Sequence, residues 1–194
     1  MISQLQIKTN IEILVRERGK LIERRETQNI FVDVGRAWLA QYIGGEVTTY
    51  INQMGVGIGG DRQNNAFADQ APLTVYPTVG ARSQTDSDVS VVALERPVCV
   101  SSASHPISPG QDTWLKLMAP PDHPTPNRSR FTAIFAEQEV NFWQFSVVPV
   151  SEIGLFTSEK DPYVRTNQLV AYDTFEPISK TTAIALEVRW TIII

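Results

Sequence analysis

The chain has 194 residues, 42% hydrophobic and 20% charged, which excludes an intrinsically disordered protein and predicts one globular domain over residues 1–194. The formal net charge of −4 lacks the positive excess of a general nucleic-acid-binding protein, so we expect no direct nucleic-acid partner. A single cysteine, Cys99, excludes an internal disulfide, and no apolar run approaches the roughly 20 residues that span a bilayer, so we expect cytoplasmic folding and no membrane partner.

Residues 1–28 are predicted to form an N-terminal hairpin or arm. Apolar residues recur at every second position from Ile11 to Val15, which is the period of a strand with one buried face. The run "LIERRE" continues this character after a glycine, and Gly19-Lys20 suits a two-residue turn.

Residues 33–43, "DVGRAWLAQYI", are the one good helix candidate. Asp33 suits the N-cap, because its carboxylate can accept the free N–H groups of the first turn. Gly44 and Gly45 supply a stop. The predicted buried face consists of Val34, Trp38, Leu39 and Tyr42.

The middle of the chain alternates short strand signals with long irregular stretches. Residues 50–58 read as a strand, 61–90 as a polar loop, and 89–100 as a strand interrupted at Pro97. Six of the twelve prolines lie in residues 101–130, which predicts a flexible or polyproline-like excursion.

From Phe131 onward, four segments with period-two alternation follow one another: "FTAIFAEQEVNF", "QFSVVPVSEIGLFT", "LVAYDTF" and "TAIALEVRWTIII". Closely spaced strands of this kind favour an antiparallel arrangement. We therefore predict a mainly β protein, an antiparallel, jelly-roll-like β-sandwich with one short helix near the N-terminus and long irregular loops.

The last predicted strand alternates up to the final residue. Its apolar face runs from Ile184 to Ile194, which predicts an interior strand. Ile193 falls on the other, polar face, and we expect it to meet another layer of the protein or another chain.

No pattern of catalytic or ligand-binding residues emerges. The run "GVGIGG" at residues 55–60 has the wrong spacing for a dinucleotide-binding fingerprint and precedes a polar loop instead of a helix. His105 and His123 are too few to hold a metal. Glu137 and Glu139 share a strand face if that strand is regular, and a solvated face explains them more simply. We expect no enzyme activity, cofactor or metal.

Five residues are candidate interface residues: Trp114, His123, Arg128, Arg130 and Ile193. Arginine is enriched in protein interfaces, and "NRSR" places two arginines beside the proline-rich excursion. Aromatic residues such as Trp114 and Trp143 are also compatible with a carbohydrate platform, although core packing is the simpler interpretation.

Three segments resemble a known class of proteins: "VDVGRAWLAQYIGG" leading into "INQMGVGIGG", then "SEIGLFT", then "LVAYDTFEPISKTTAIALEVRWTIII". Their order is similar to that of small β-rich structural proteins of tailed bacteriophage particles, such as tail, neck, collar or fibre-attachment components. The resemblance covers mainly residues 30–60 and 145–194.

The resemblance implies a non-enzymatic virion component, assembled in the bacterial host cytoplasm as a symmetric homo-oligomer in the tail, neck or baseplate region. Its expected partners are itself and other virion proteins. Two alternatives stay open, a host-surface carbohydrate-binding module and a capsid decoration protein.

Overall fold

The computed structural model describes residues 7–27, 30–59, 94, 98, 100, 115–141, 146–158 and 168–194. Within them the elements are β1 (Lys8–Glu17), β2 (Lys20–Thr27), β3 (Ile30–Phe31), α1 (Asp33–Ile43), β4 (Tyr50–Gly57), β5 (Lys116–Leu117), β6 (Asp122–Thr125), β7 (Arg128–Phe135), β8 (Val148–Ser158), β9 (Leu169–Lys180) and β10 (Ile184–Ile193). The first sheet has the strand order β2-β1-β10-β7-β6, and the second has the order β3-β9-β8-β4-β5. All pairs are antiparallel. The prediction of a mainly β, antiparallel sandwich with one short helix is confirmed.

The hydrophobic core lies between the inner faces of the two sheets. The first sheet contributes Ile13, Phe135 and Trp190, and the second contributes Val56 and Leu155, all of them at most 1% exposed. These residues come from strands far apart in sequence, so the core forms only when the two sheets pack together.

The N-terminal hairpin is present as the pair β1 and β2, but its predicted turn was wrong by one residue. The turn residues are Arg18 and Gly19, with φ of +48° and +80°, and Lys20 already begins β2. Positive φ at both central residues is the geometry that matches the twist of a two-residue hairpin.

The strand β10 is interior, as predicted from its alternation. It lies between β1 and β7, and every second residue from Ile184 to Ile192 is buried. The alternation does not reach the last residue, because Ile194 follows the strand and is 56% exposed. That part of the prediction was wrong.

The helix α1 has the predicted bounds but a different N-terminus. Val32 occupies the N-cap without a side-chain cap hydrogen bond, so Asp33 is the first helical residue and not the cap. The predicted stop is confirmed, since Gly44 is the C-cap and Gly45 has a φ of +74°. Of the predicted apolar face, Trp38 is buried, Val34 and Leu39 are half-buried, and Tyr42 is 48% exposed.

Part of the predicted proline-rich excursion is regular structure. β5, β6 and the start of β7 fall within residues 115–130, because β6 pairs with β7 at the rim of the first sheet. Residues 101–114 lie outside the described residues, as do the predicted loop at 61–90 and most of 89–100. The described residues of that stretch are Leu94, Val98 and Val100, all buried.

Candidate functional site

The structure brings three of the five candidate interface residues onto one surface. Arg128 and Arg130 belong to β7, and Ile193 belongs to the neighbouring β10, where it is the register partner of Arg128. Ile193 also pairs with Lys8 of β1, which lies on the other side of β10 from Arg128. Trp114 lies outside the described residues, so its predicted role stays a prediction.

These side chains share one face because register partners on antiparallel strands point to the same side of a sheet. The core-facing residues of β10 are its even-numbered ones, so Ile193 and its partners point away from the core. We call Lys8, Arg128, Arg130 and Ile193 the basic corner. Lys8 and Arg128 are exposed, and Ile193 between them is half-buried.

The basic corner is only partly neutralised. Arg130 makes one ion pair with Asp122 of β6, at 3.6 Å between Nη1 and Oδ2, with both side chains substantially exposed. Within the described residues, neither Lys8 nor Arg128 forms an ion pair. An exposed ion pair such as Arg130–Asp122 contributes at most about 1 kcal/mol. The side chains of Arg130 and Asp122 therefore remain accessible to a partner.

His123 lies on the same rim of the sheet but faces the other way. Its Nδ1 is 3.3 Å from Oγ of Ser129 and 3.4 Å from the carbonyl oxygen of Arg128. Ser129 alternates with Arg128 and Arg130 along β7, so its side chain points to the opposite face. A register shift within β6 between Asp122 and Thr125 accompanies this arrangement. The structure therefore does not group His123 with the basic corner.

Next to the basic corner, the same outer face carries a chain of five ion pairs. In order, its members are Glu26, Arg24, Glu12, Arg189, Glu187 and Arg16, with the closest N–O distances between 2.5 and 3.1 Å. Hydrogen bonding to Glu187 raises the pKa of Arg189. These ion-paired side chains surround Leu14, which is only 4% exposed although it points away from the core. Three acids balance three arginines, so this part of the face has no net charge.

A buried cation that the sequence did not predict lies at the end of β9. The Lys180 side chain is fully buried, and its ammonium donates to the carbonyl oxygens of Thr181 at 2.9 Å and Glu137 at 3.1 Å. Oδ1 of Asn141 is 3.5 Å away. Burial lowers the pKa of Lys180 to about 8, partly opposed by the charges of Glu139 and Glu137. The sequence signal that could have suggested this is weak, since a lysine at a strand end is usually solvated.

The two acids near Lys180 do not share a strand face as expected. β7 ends at Phe135, and Glu137 and Glu139 lie in the turn that follows. Oε1 of Glu139 pairs with Nζ of Lys116 at 2.5 Å, and its Oε2 accepts the Ala136 N–H at 2.9 Å. Together with Lys180, these contacts attach the turn to β5 and β9 of the second sheet.

A second buried polar group lies at the end of β4. Glu152 accepts the N–H of Gly59 at 3.2 Å and the hydroxyl of Tyr172 at 3.1 Å, while the hydroxyl of Ser151 donates to the carbonyl of Gly59 at 2.8 Å. Both polar groups of the Gly59 backbone are thereby held by β8. This gives the acid of the "SEIGLFT" segment a structural role that sequence reasoning did not assign.

The described part of the chain offers no further chemistry of the kinds considered. Among those residues, no group of three or more His, Cys, Asp or Glu side chains could hold a metal ion. No described helix is both long and apolar enough to cross a membrane. His105, Cys99 and Trp143 lie outside the described residues.

Comparison with known proteins adds no assignment. No family model, no curated protein and no solved structure matches this chain.

Proposed function

We propose that this protein is a non-enzymatic structural component of a tailed bacteriophage particle. In this proposal it assembles as a symmetric homo-oligomer in the tail, neck or baseplate region and contacts other virion proteins. The resemblance of residues 30–60 and 145–194 to such proteins is the origin of the proposal.

The observation that carries it is the way those segments pack. Gly35 and Gly55 of the first quoted segment and Gly154 of the second each lie where a Cβ atom would meet a neighbouring atom closer than 3.0 Å. Gly35 contacts β9, and Gly55 lies opposite Gly154 across β4 and β8. The motifs therefore describe one packed unit rather than three independent local patterns, which is what a shared structural framework requires.

The outer surface supports an assembly role. The basic corner combines an apolar residue, Ile193, with two cations, Lys8 and Arg128, that form no ion pair within the described residues, and with Arg130, which pairs with Asp122. Symmetric assemblies repeat one modest contact around a ring, so such a patch suffices when several copies bind.

The test is the mass of the purified full-length protein, by light scattering behind a sizing column over a range of concentrations. A discrete multimer is the expected result, and negative-stain images of that multimer should show a ring or another closed symmetric particle. A monomer at every concentration would contradict the homo-oligomer. Binding to a panel of host-surface glycans, lost on Trp114→Ala or Trp143→Ala, would favour the carbohydrate-binding alternative.

A further inference from the structure

We infer that the basic corner is the contact through which one copy of this chain binds an acidic surface of a neighbouring copy. This inference rests on the proposed homo-oligomer and identifies the surface and the charge of its partner.

The first argument is the distribution of charge. Lys8, Arg128 and Arg130 carry three positive charges. They lie in two cross-strand rows, Lys8–Ile193–Arg128 and Thr191–Arg130–Asp122, in which Asp122 is the one acid. The chain has a formal net charge of −4, so setting aside the two net positive charges of these rows leaves −6 on the remainder. Outside this surface, a second copy therefore carries a net negative charge.

The second argument is the contrast with the rest of the same face. The ion pairs from Glu26 to Arg16 neutralise one another, and they leave Leu14 almost inaccessible. At the basic corner the pattern changes, because Lys8 and Arg128 flank Ile193 without a carboxylate in the same row. Strands in a sheet are about 4.8 Å apart, so the backbones of Lys8 and Arg128 are about 10 Å apart, with Ile193 between them.

The third argument concerns geometry and symmetry. A basic surface that binds an acidic surface elsewhere on the next copy makes a heterologous contact, and repeated heterologous contacts close into a ring when the rotation allows it. Two basic corners facing each other would instead repel. Charge thus favours a head-to-tail ring over a two-fold dimer at this surface.

The experiment measures the mass of the assembly for the full-length protein and for three charge reversals. Arg128→Glu and Lys8→Glu change the basic corner. Lys20→Glu is the matched control, since Lys20 is also exposed on the first sheet but lies beside the hairpin turn, at the opposite end of β1 from Lys8. All three side chains are exposed, and thermal unfolding of each variant checks that the fold is retained.

We expect Arg128→Glu and Lys8→Glu to weaken self-association by more than tenfold, because a like charge placed against an acidic partner is strongly unfavourable. Lys20→Glu should assemble as the parent protein does. Raising the salt from about 0.1 M to about 1 M shortens the screening length from about 10 Å to about 3 Å, so it should also dissociate the parent assembly.

The outcomes separate this inference from the proposed function. A multimer that withstands both the corner variants and high salt overturns the basic corner as the contact but leaves the homo-oligomer standing. A parent protein that is monomeric at every concentration overturns both. Loss of assembly in Lys20→Glu to the same extent would show a general effect of charge and overturn the assignment to this surface.

Discussion

Gly55 of β4 and Gly154 of β8 lie directly opposite each other in the second sheet. A Cβ atom on Gly154 would lie 2.6 Å from Cδ1 of Leu169, and one on Gly55 would lie 2.8 Å from Cδ2 of Leu115. The Leu94 side chain approaches both positions, at 3.1 and 3.0 Å from the two added Cβ atoms. Because neither glycine has a side chain, neighbouring apolar side chains pack directly against the backbone of the sheet at this pair.

Gly154→Ala is therefore expected to destabilise the protein by about 1–3 kcal/mol, as overpacking a close-packed core does. The neighbouring atoms are ends of side chains, which can shift and so keep the effect in this range. Urea unfolding followed by circular dichroism would measure it. A change in stability below the error of that measurement would show that the apolar layer over the pair is loose.

Gly35→Ala should be more harmful than Gly154→Ala. Its Cβ would lie 2.1 Å from the backbone carbonyl oxygen of Val170, and backbone cannot rotate away as a side chain can. We expect a loss of about 3 kcal/mol or more, or failure to fold, because the helix must lift from β9. Gly44→Ala is the matched control, since its Cβ would meet nothing closer than 3.4 Å. Equal effects of the two substitutions in thermal unfolding would contradict the close contact.

Stability is expected to rise with pH in the alkaline range because of Lys180. Its folded-state pKa of about 8 lies below its ordinary value of 10.5, so between these values the unfolded chain binds more protons than the folded one. The free energy of unfolding then increases with pH across this window, by up to about 3 kcal/mol at about 1.4 kcal/mol for each pKa unit.

Urea unfolding at several pH values between about 7 and about 10.5, the ordinary pKa of lysine, would measure how steeply the free energy of unfolding rises with pH. Lys180→Met should remove the rise that Lys180 produces, while leaving the carbonyl oxygens of Thr181 and Glu137 without their donor at every pH. If the parent protein and Lys180→Met show the same dependence on pH, the ammonium is not buried as the structure has it.

Removal of residues 191–194 is expected to abolish folding or assembly. It deletes the end of β10 that pairs with Lys8 and Arg128, and it removes the buried Ile192, whose burial contributes about 1.5–3 kcal/mol. Deletion of Ile194 alone should be tolerated, because this residue is exposed and outside the strand. Expression, solubility and light scattering of the two deletions would decide. A folded, assembling form without residues 191–194 would refute the central role of this strand end.

Much of the local structure follows from short-range patterns in the chain. The alternation from Ile184 to Ile192 predicts a strand with one buried face, and the apolar spacing around Trp38, followed by two glycines, predicts the helix and its stop. These succeed because period and turn chemistry depend on neighbouring residues alone. The prediction of the helix N-terminus was wrong, because local patterns do not show that Val32 precedes the first turn. Val32 is held there by a hydrogen bond from its N–H to the carbonyl oxygen of Val170.

The basic corner depends on strand pairings that no local sequence pattern contains. Lys8, Arg128 and Ile193 are separated by most of the chain, and only the insertion of β10 between β1 and β7 puts them in one row. Strand alternation and a register shift in β6 place His123 on the other side of the sheet from its sequence neighbours. The burial of Lys180 likewise requires the turn after β7 to meet the end of β9. Period-two alternation thus determines which residues share a face within a strand, whereas long-range strand order decides which strands supply the neighbours.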